Sequence, residues 1–421
     1  MRILFVSQYF WPENFRVNEL VTDLVARGHE IVVLTGVPNY PAGEIFPEYR
    51  KNPSAFLEHA GARIFRVPIV SRGQSRFRLA LNYLSFIVLG SIVGPWKLRQ
   101  VKVDVIFVFL VSPIMAALPA LLIGRLKNAP VALWILDLWP ATLAAVGAVR
   151  SERILRWVGR LVAFIYRRAD RVLVQSRAFI SDVIHHGAAE EKVRYFPGWA
   201  EQVFDTPAGP TSVPEMDRQD GKFKILFAGN VGEAQDFPSI LTAIHTLRDR
   251  ADIRWIIVGD GRAKPYVEKQ VAEQGLSSVV TLLERRPIEA MPSLFNAADA
   301  LLVSLRPDPI FSKTIPGKVQ SYLAAGVPIL AMLDGEGARV VAEAEAGLVS
   351  PAGDGVALAG QVVRLLEMPP SERAAMGARG RAYVAREFNR ERLVAKLEQE
   401  LRELAEDRQG KGKHRAKAEL K

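Results

Sequence analysis

The chain of 421 residues is too long for one ordinary hydrophobic core, so two large domains are the starting expectation. Hydrophobic residues make up 49%, which excludes general disorder, and the lack of cysteine excludes disulfides, thiolate metal sites and a cysteine nucleophile. The net charge is +10, and from Arg408 to Lys421 six Lys/Arg face one Glu, so the tail alone supplies half of it. A basic balance favours polyanions such as nucleotide phosphates or an anionic membrane surface. No aromatic-interleaved basic patch argues for nucleic acid, and six histidines without ligand spacing argue for no metal.

Residues 3–7 read as a short buried strand that runs straight from the N-terminus, unlike a signal peptide. A loop at 8–15 leads to a helix over 17–27, with Leu20, Val21, Leu24 and Val25 at helical spacing, and Gly28 stops it before a strand at 30–35. That βαβ unit predicts a parallel sheet. Its first loop lacks the G-x-G-x-x-G of a dinucleotide site, so a dehydrogenase loses its main support. Further strands are expected at 62–68, 103–111, 129–136, 171–175 and 194–197. The charge-free stretch 105–124 carries Pro113 and Pro119 and reads as a strand turning into a helix, not a membrane span. Residues 79–96 are also uncharged, with Arg72, Arg76, Arg78, Lys97 and Arg99 around them. Such a helix either lies on an anionic leaflet or is buried.

The segment 205–221, rich in Pro, Gly and polar residues, reads as a linker. A second α/β region follows, with strands at 224–230, 253–258, 279–283, 300–305 and 329–332 and helices at 240–250, 264–274, 287–296, 316–325 and 356–366. The N-terminal domain is placed at 1–204 and the C-terminal domain at 222–388. A helix at 389–406 is expected to pack back on the first domain, before a basic disordered tail at 407–421. The fold class is therefore α/β, with two doubly wound Rossmann-like domains facing a central cleft. Within the second domain, 311–330 is the most informative stretch. Pro316 suits the first helical position, Gly326 the left-handed stop, and Pro328 blocks continuation. Such a helix start attracts phosphate, and Lys313 and Lys318 lie on either side of it.

Phe227-Ala-Gly-Asn-Val-Gly232, Ile256-Ile-Val-Gly-Asp-Gly-Arg262, Ala297-Ala-Asp-Ala-Leu-Leu-Val303 and Pro316-Gly-Lys-Val-Gln-Ser-Tyr-Leu-Ala-Ala-Gly-Val-Pro328 stand in one order and spacing. Together they make the chain resemble a family 4 glycosyltransferase of GT-B architecture over nearly its whole length. Leu136-Asp-Leu-Trp-Pro140 and Gly232-Glu-Ala-Gln235 resemble, more narrowly, bacterial O-antigen and capsule transferases, some of which move N-acetylated amino sugars such as N-acetylfucosamine. The resemblance implies retaining transfer from a nucleotide sugar, UDP-linked, to a lipid-linked glycan acceptor. It implies no cofactor and no required metal, and a cytoplasmic protein peripheral on the inner face of the cell membrane. It places the donor on Gly229, Asn230, Gly232, Gln235, Gly259, Asp260, Pro316, Gln320, Ser321 and Glu336. Lys313 and Lys318 are assigned to the leaving diphosphate, Asp137 to the acceptor hydroxyl, and Glu13 and Arg16 to the acceptor or phosphate side.

Two departures stand out. The family's Glu-x7-Glu falls on Lys313 and Ser321, so both carboxylates are absent, and Ser321 or Gln320 must stand where the second holds the donor ribose. The family's Arg and Lys after the first C-domain strand are replaced near Asn230 and Gln235. Structural alternatives remain: Asp137 as a helix N-cap, Gly229 and Gly232 as an ordinary turn, Arg16 as a helix-start residue, Glu336 as a solvated carboxylate. A non-catalytic sugar-nucleotide-binding partner and a GT-B nucleotide-sugar epimerase also stay open, and the sequence gives no oligomeric state.

Overall fold

The computed structural model describes residues 1–145, 147, 149–205, 214–216 and 221–419, with backbone alone at 205, 215, 409 and 411–419. It divides into two units, Met1–Phe196 with Glu391–Lys421, and Pro197–Arg390. Of the expected linker, 206–213 and 217–220 lie outside the described residues.

The first unit holds β1 (Arg2–Val6), β2 (Glu30–Gly36), β3 (Glu58–His59), β4 (Ala62–Val67), β5 (Val105–Leu110), β6 (Val131–Ile135), β7 (Arg171–Val174) and β8 (Val193–Tyr195). They form one sheet in the order β3-β4-β2-β1-β5-β6-β7-β8, parallel except for β3. All six residues of β5 and all five of β6 are buried, because helices cover both faces of a parallel sheet. Strand order reverses between β1 and β5, and the loops leaving such a switch point frame a binding crevice.

The second unit holds β9 (Phe223–Ala228), β10 (Ile253–Val258), β11 (Val280–Leu283), β12 (Ala300–Ser304), β13 (Ile329–Met332) and β14 (Gly347–Ser350), in the order β11-β10-β9-β12-β13-β14. Its switch point lies between β9 and β12, which puts the loops after Ala228 and Ser304 side by side. Apolar layers lie on both faces of this sheet, around Phe227, Phe237 and Ile240 on one and Leu301, Val319 and Tyr322 on the other.

The helix Arg390–Glu419 belongs to the first unit. Val394, Leu397 and Leu401 are buried, Arg171 Nε reaches Glu400 at 2.9 Å, and Lys396 donates to the Tyr195 carbonyl at 2.9 Å. Its backbone stays helical to Glu419, where the sequence led to an expectation of disorder from 407. Two edge strands, β3 and β14, escaped the sequence reading. Residue 335 opens a helix (Gly335–Glu343), and Pro316 is the N-cap of Gly317–Ala325 rather than its first helical residue, with extended backbone at ψ 136.

Candidate functional site

In the second unit the loop after β9 turns back through Gly229, Asn230 and Gly232 into a short turn, Glu233–Gln235. Gly229 has φ +128 and Gly259 φ +150, both costly for a side chain, and a Cβ on Gly259 would lie 1.9 Å from the Gly229 carbonyl oxygen. The loops after β9 and β10 therefore pack backbone on backbone. Val231 N–H donates to the Asp260 carbonyl at 2.9 Å, while the Asp260 carboxylate accepts the Gly261 N–H at 2.8 Å. Asp260 thus braces its own turn. Asn230 lies exposed at the rim.

Against this double loop comes the start of Gly317–Ala325. Pro316 offers its first turn no side-chain cap, and the Gly326 stop is left-handed as expected, at φ 69. Lys318 runs along the Gly229 turn, its Cε 2.8 Å from where a Gly229 Cβ would sit. Its Nζ donates to Gln235 Oε1 at 2.8 Å and stands 3.6 Å from the centre of the Phe227 ring. Ser304 holds the same turn by donating to the Gln235 carbonyl at 2.6 Å, and Ala228 N–H donates to the Tyr322 hydroxyl at 3.2 Å. Gly229, Gln235, Pro316 and Lys318 are thereby gathered at one place. Desolvation, with no carboxylate beside the ammonium among the described residues, pushes the Lys318 pKa down to about 7. Lys313 is partly buried and closes the short helix Pro309–Ser312 as its C-cap.

Farther along the same helix, Gln320 is buried and donates from Nε2 to the Gly198 carbonyl at 3.2 Å. Ser321 Oγ lies 2.5 Å from Glu201 Oε2 and 3.1 Å from the Gly317 carbonyl. The carboxylate missing from position 321 in sequence is thus present beside it in space. Glu336, at the start of Gly335–Glu343, is gripped by Arg339 through two bonds of 3.1 Å. Arg306 lies two residues beyond β12, packs over Phe311 at 5.5 Å and lines a cleft with Asp308, Ser312 and Asp334. The sequence reading passed over Arg306 and Glu201. Position at a strand's carboxyl end was a usable signal for the first, and Glu201 had none.

In the first unit the loops after β1, β2, β4 and β6, with the helix Arg76–Lys97, carry the polar groups. Gln8 Nε2 donates to Asn82 Oδ1 at 2.6 Å, and Arg72 Nη1 donates to the Tyr9 hydroxyl at 3.0 Å while covering the Tyr40 ring at 5.3 Å. Glu13 is buried and accepts the backbone N–H groups of Phe10 (3.2 Å), Asn39 (2.8 Å) and Tyr40 (2.7 Å), stapling two loops together. Burial outweighs those bonds and pushes its pKa up to about 7. Arg16, partly buried, is the first residue of the helix Arg16–Ala26. Asp137 follows β6 and, among the described residues, caps no helix N–H. Desolvation raises its pKa to about 7, and its charge is felt at Tyr83. A carboxyl poised this way is suited to exchanging a proton near neutral pH.

Residues 14–199 match the family described as "Glycosyl transferase 4-like domain", and residues 222–368 match "Glycosyl transferases group 1". The chain belongs to the family 4 glycosyltransferases. The transferase is 27% identical over 341 residues to the "Putative colanic acid biosynthesis glycosyl transferase WcaI" of Escherichia coli (strain K12), covering 77% of this chain and 82% of that one. It is 28% identical over 243 residues to the "Probable glycosyltransferase WbjE" of Pseudomonas aeruginosa, where it spans 60% of the relative's length. Its fold matches that of Anabaena Alr3699/HepE, solved in complex with UDP and glucose, at a TM-score of 0.69 and 16% identity, over 96% of this chain and 100% of that one. Both units are thus the Rossmann-like domains of a GT-B glycosyltransferase, and the Lys318 cluster lies in the one matched as group 1.

Proposed function

We propose that this glycosyltransferase moves a sugar, of the N-acetylated amino type, from a UDP-linked donor to a lipid-linked glycan, with retention, in cell-surface polysaccharide synthesis. The observation that carries the donor half is Lys318 at the uncapped start of Gly317–Ala325, folded against the Gly229 turn and held by Gln235. A departing diphosphate gains negative charge, and an ammonium group with backbone N–H groups at a helix start opposes that charge without reorganising. The HepE complex with UDP supports a uridine nucleotide, and the WcaI relative supports a surface polysaccharide. Lys318 and the helix start are the groups assigned to the leaving charge, so no metal is required. Asp137 is assigned the acceptor hydroxyl, whose proton it accepts or holds. Transfer from UDP-sugars by the purified chain, cut at least tenfold by Lys318→Ala with the fold intact, is the expected result. Undiminished transfer in that variant would remove the assignment.

A surface of the first unit supports the lipid-linked acceptor and the inner membrane face. The helix Arg76–Lys97 buries Phe86, Gly90 and Gly94, where a Cβ would press on Pro119 and Leu34 at 3.0 Å, so one side is built into the domain. Its other side exposes Phe77, Leu84, Val88, Ile92 and Trp96. Helices Leu118–Lys127 and Glu152–Arg168 pack on in turn and expose Leu122, Leu126, Ile154, Trp157 and Phe164. Residues 76–99, 118–127 and 150–168 hold twelve Lys/Arg against one acid, Glu152, more positive charge than the whole chain's +10. Arg99 covers Trp96 at 4.9 Å and Arg168 covers Phe164 at 5.5 Å. Apolar groups rimmed by cations match an anionic leaflet, which accepts the former and attracts the latter.

A further inference from the structure

We propose that Glu201 is a donor-binding residue that receives the ribose hydroxyls of the nucleotide, a reading that rests on the donor site around Lys318. After β8 the chain runs through Trp199, which is buried, to Glu201 and a short turn, Gln202–Asp205. This segment is fastened to the Gly317–Ala325 helix at consecutive positions, Gln320 donating to the Gly198 carbonyl and Ser321 to the Glu201 carboxylate. Phe204 stacks on Phe295 at 5.4 Å and 14°, which secures the segment from the other end. Glu201 is therefore placed by at least three anchors on the second unit. It is partly exposed, as a ligand-facing group must be.

Its position relative to Lys318 decides the chemistry. Ser321 is three residues after Lys318, so the two side chains are neighbours on one helix face, roughly 5–6 Å apart at Cβ. In a nucleoside diphosphate the ribose is joined directly to the first phosphate. A group one helical turn from the phosphate cation therefore stands within reach of that ribose. Vicinal hydroxyls are two donors on neighbouring carbons, and a carboxylate, with about four lone-pair sites, can receive a ribose hydroxyl while Ser321 also donates to it. The same pairing of an acidic side chain with a ribose hydroxyl recurs in dinucleotide-binding α/β domains. Ser321 then acts as a positioning residue, since its hydroxyl fixes the carboxylate without needing to touch the nucleotide.

The competing account is that Glu201 only clips the segment to the helix, and nucleotides that differ at the ribose alone separate the two. UDP and 2′-deoxy-UDP are titrated calorimetrically into the full chain, with thermal unfolding run alongside. The native protein is expected to prefer UDP by about tenfold or more, the value of a hydrogen bond to a charged group. Glu201→Gln is expected to lose most of that preference, chiefly by binding UDP more weakly while 2′-deoxy-UDP changes little. The double variant Glu201→Ala with Ser321→Glu, which moves the carboxylate onto the helix, is expected to regain part of it. A Glu201→Gln protein that unfolds normally and keeps the native preference overturns the proposal, as does equal weakening of both nucleotides. Lys318→Ala reports on the donor site separately. If it leaves UDP affinity unchanged, the phosphate assignment fails, whereas weak UDP binding there with an unaltered Glu201→Gln ratio removes the ribose assignment alone.

Discussion

Replacing Lys318 with methionine keeps the length of the stem over Phe227 and removes the charge. In the free protein the ammonium is held down to a pKa of about 7 by desolvation, against an ordinary 10.5. A bound diphosphate supplies the missing counter-charge, so binding draws a proton onto Lys318 whenever the pH lies above about 7. Each pH unit above that value then costs about tenfold in donor affinity, until the pKa of the complex is reached. Between pH 6 and 9 the dissociation constant for UDP should rise by about a hundredfold in the native protein. UDP's own phosphate titrates identically with either protein, so the ratio of native to Lys318→Met affinities isolates the lysine. Stability runs the opposite way. The unfolded lysine keeps the proton that the folded one releases, so from about pH 7 to 10.5 the unfolded chain binds more protons and stability rises with pH. Lys318 retains some contact with solvent, so methionine should stabilise the unliganded fold at pH 7 by about 2 kcal/mol rather than the ~5 kcal/mol of the full shift. Calorimetric titration across pH, with denaturant unfolding of both proteins, reads both trends. Parallel pH profiles for native and Lys318→Met would refute the argument.

Gly259→Ala should cost at least about 2 kcal/mol in thermal unfolding and lower UDP affinity, because a Cβ there meets the Gly229 carbonyl that shapes the turn. Asp137→Asn should cut transfer to acceptor about a hundredfold or more while UDP affinity stays put. Its carboxyl ionises above about pH 7, so native transfer should climb through that region and the variant's should not. Trp96→Ser with Trp157→Ser should leave stability within about 0.5 kcal/mol, since both rings are exposed, yet weaken binding to phosphatidylglycerol vesicles in flotation assays. Salt should weaken native binding further, and binding indifferent to both changes would remove the membrane reading.

The interior of each sheet was legible because strands buried on both faces appear as apolar runs, and Val105–Leu110 and Ile253–Val258 leave little else to propose. The edges were not. β3 is two polar residues, and β14 follows a helix with half its side chains in partial contact with solvent, so neither carries an apolar run. The basic face was readable in principle. Arg76, Arg78, Lys97 and Arg99 mark one of its helices in the sequence, whereas Arg153, Arg156 and Arg160, which alternate with Ile154 and Trp157 on another, join them only through the fold.

At the proposed donor site, the residues legible in advance were those whose positions are set locally. Pro316 and Gly326 bound a helix through their own backbone preferences, whatever surrounds them. Lys318 meets Gln235 across 83 residues and Ser321 meets Glu201 across 120, and nothing in either local sequence encodes the partner. The apparent loss of a carboxylate at position 321 shows what that implies. A serine in a helix reads as a deletion when each position is weighed alone. In the folded chain the charge is supplied by a segment that joins the helix only through the tertiary structure. Charge lost from one element of a site therefore establishes loss of function only after the neighbours in space have been counted.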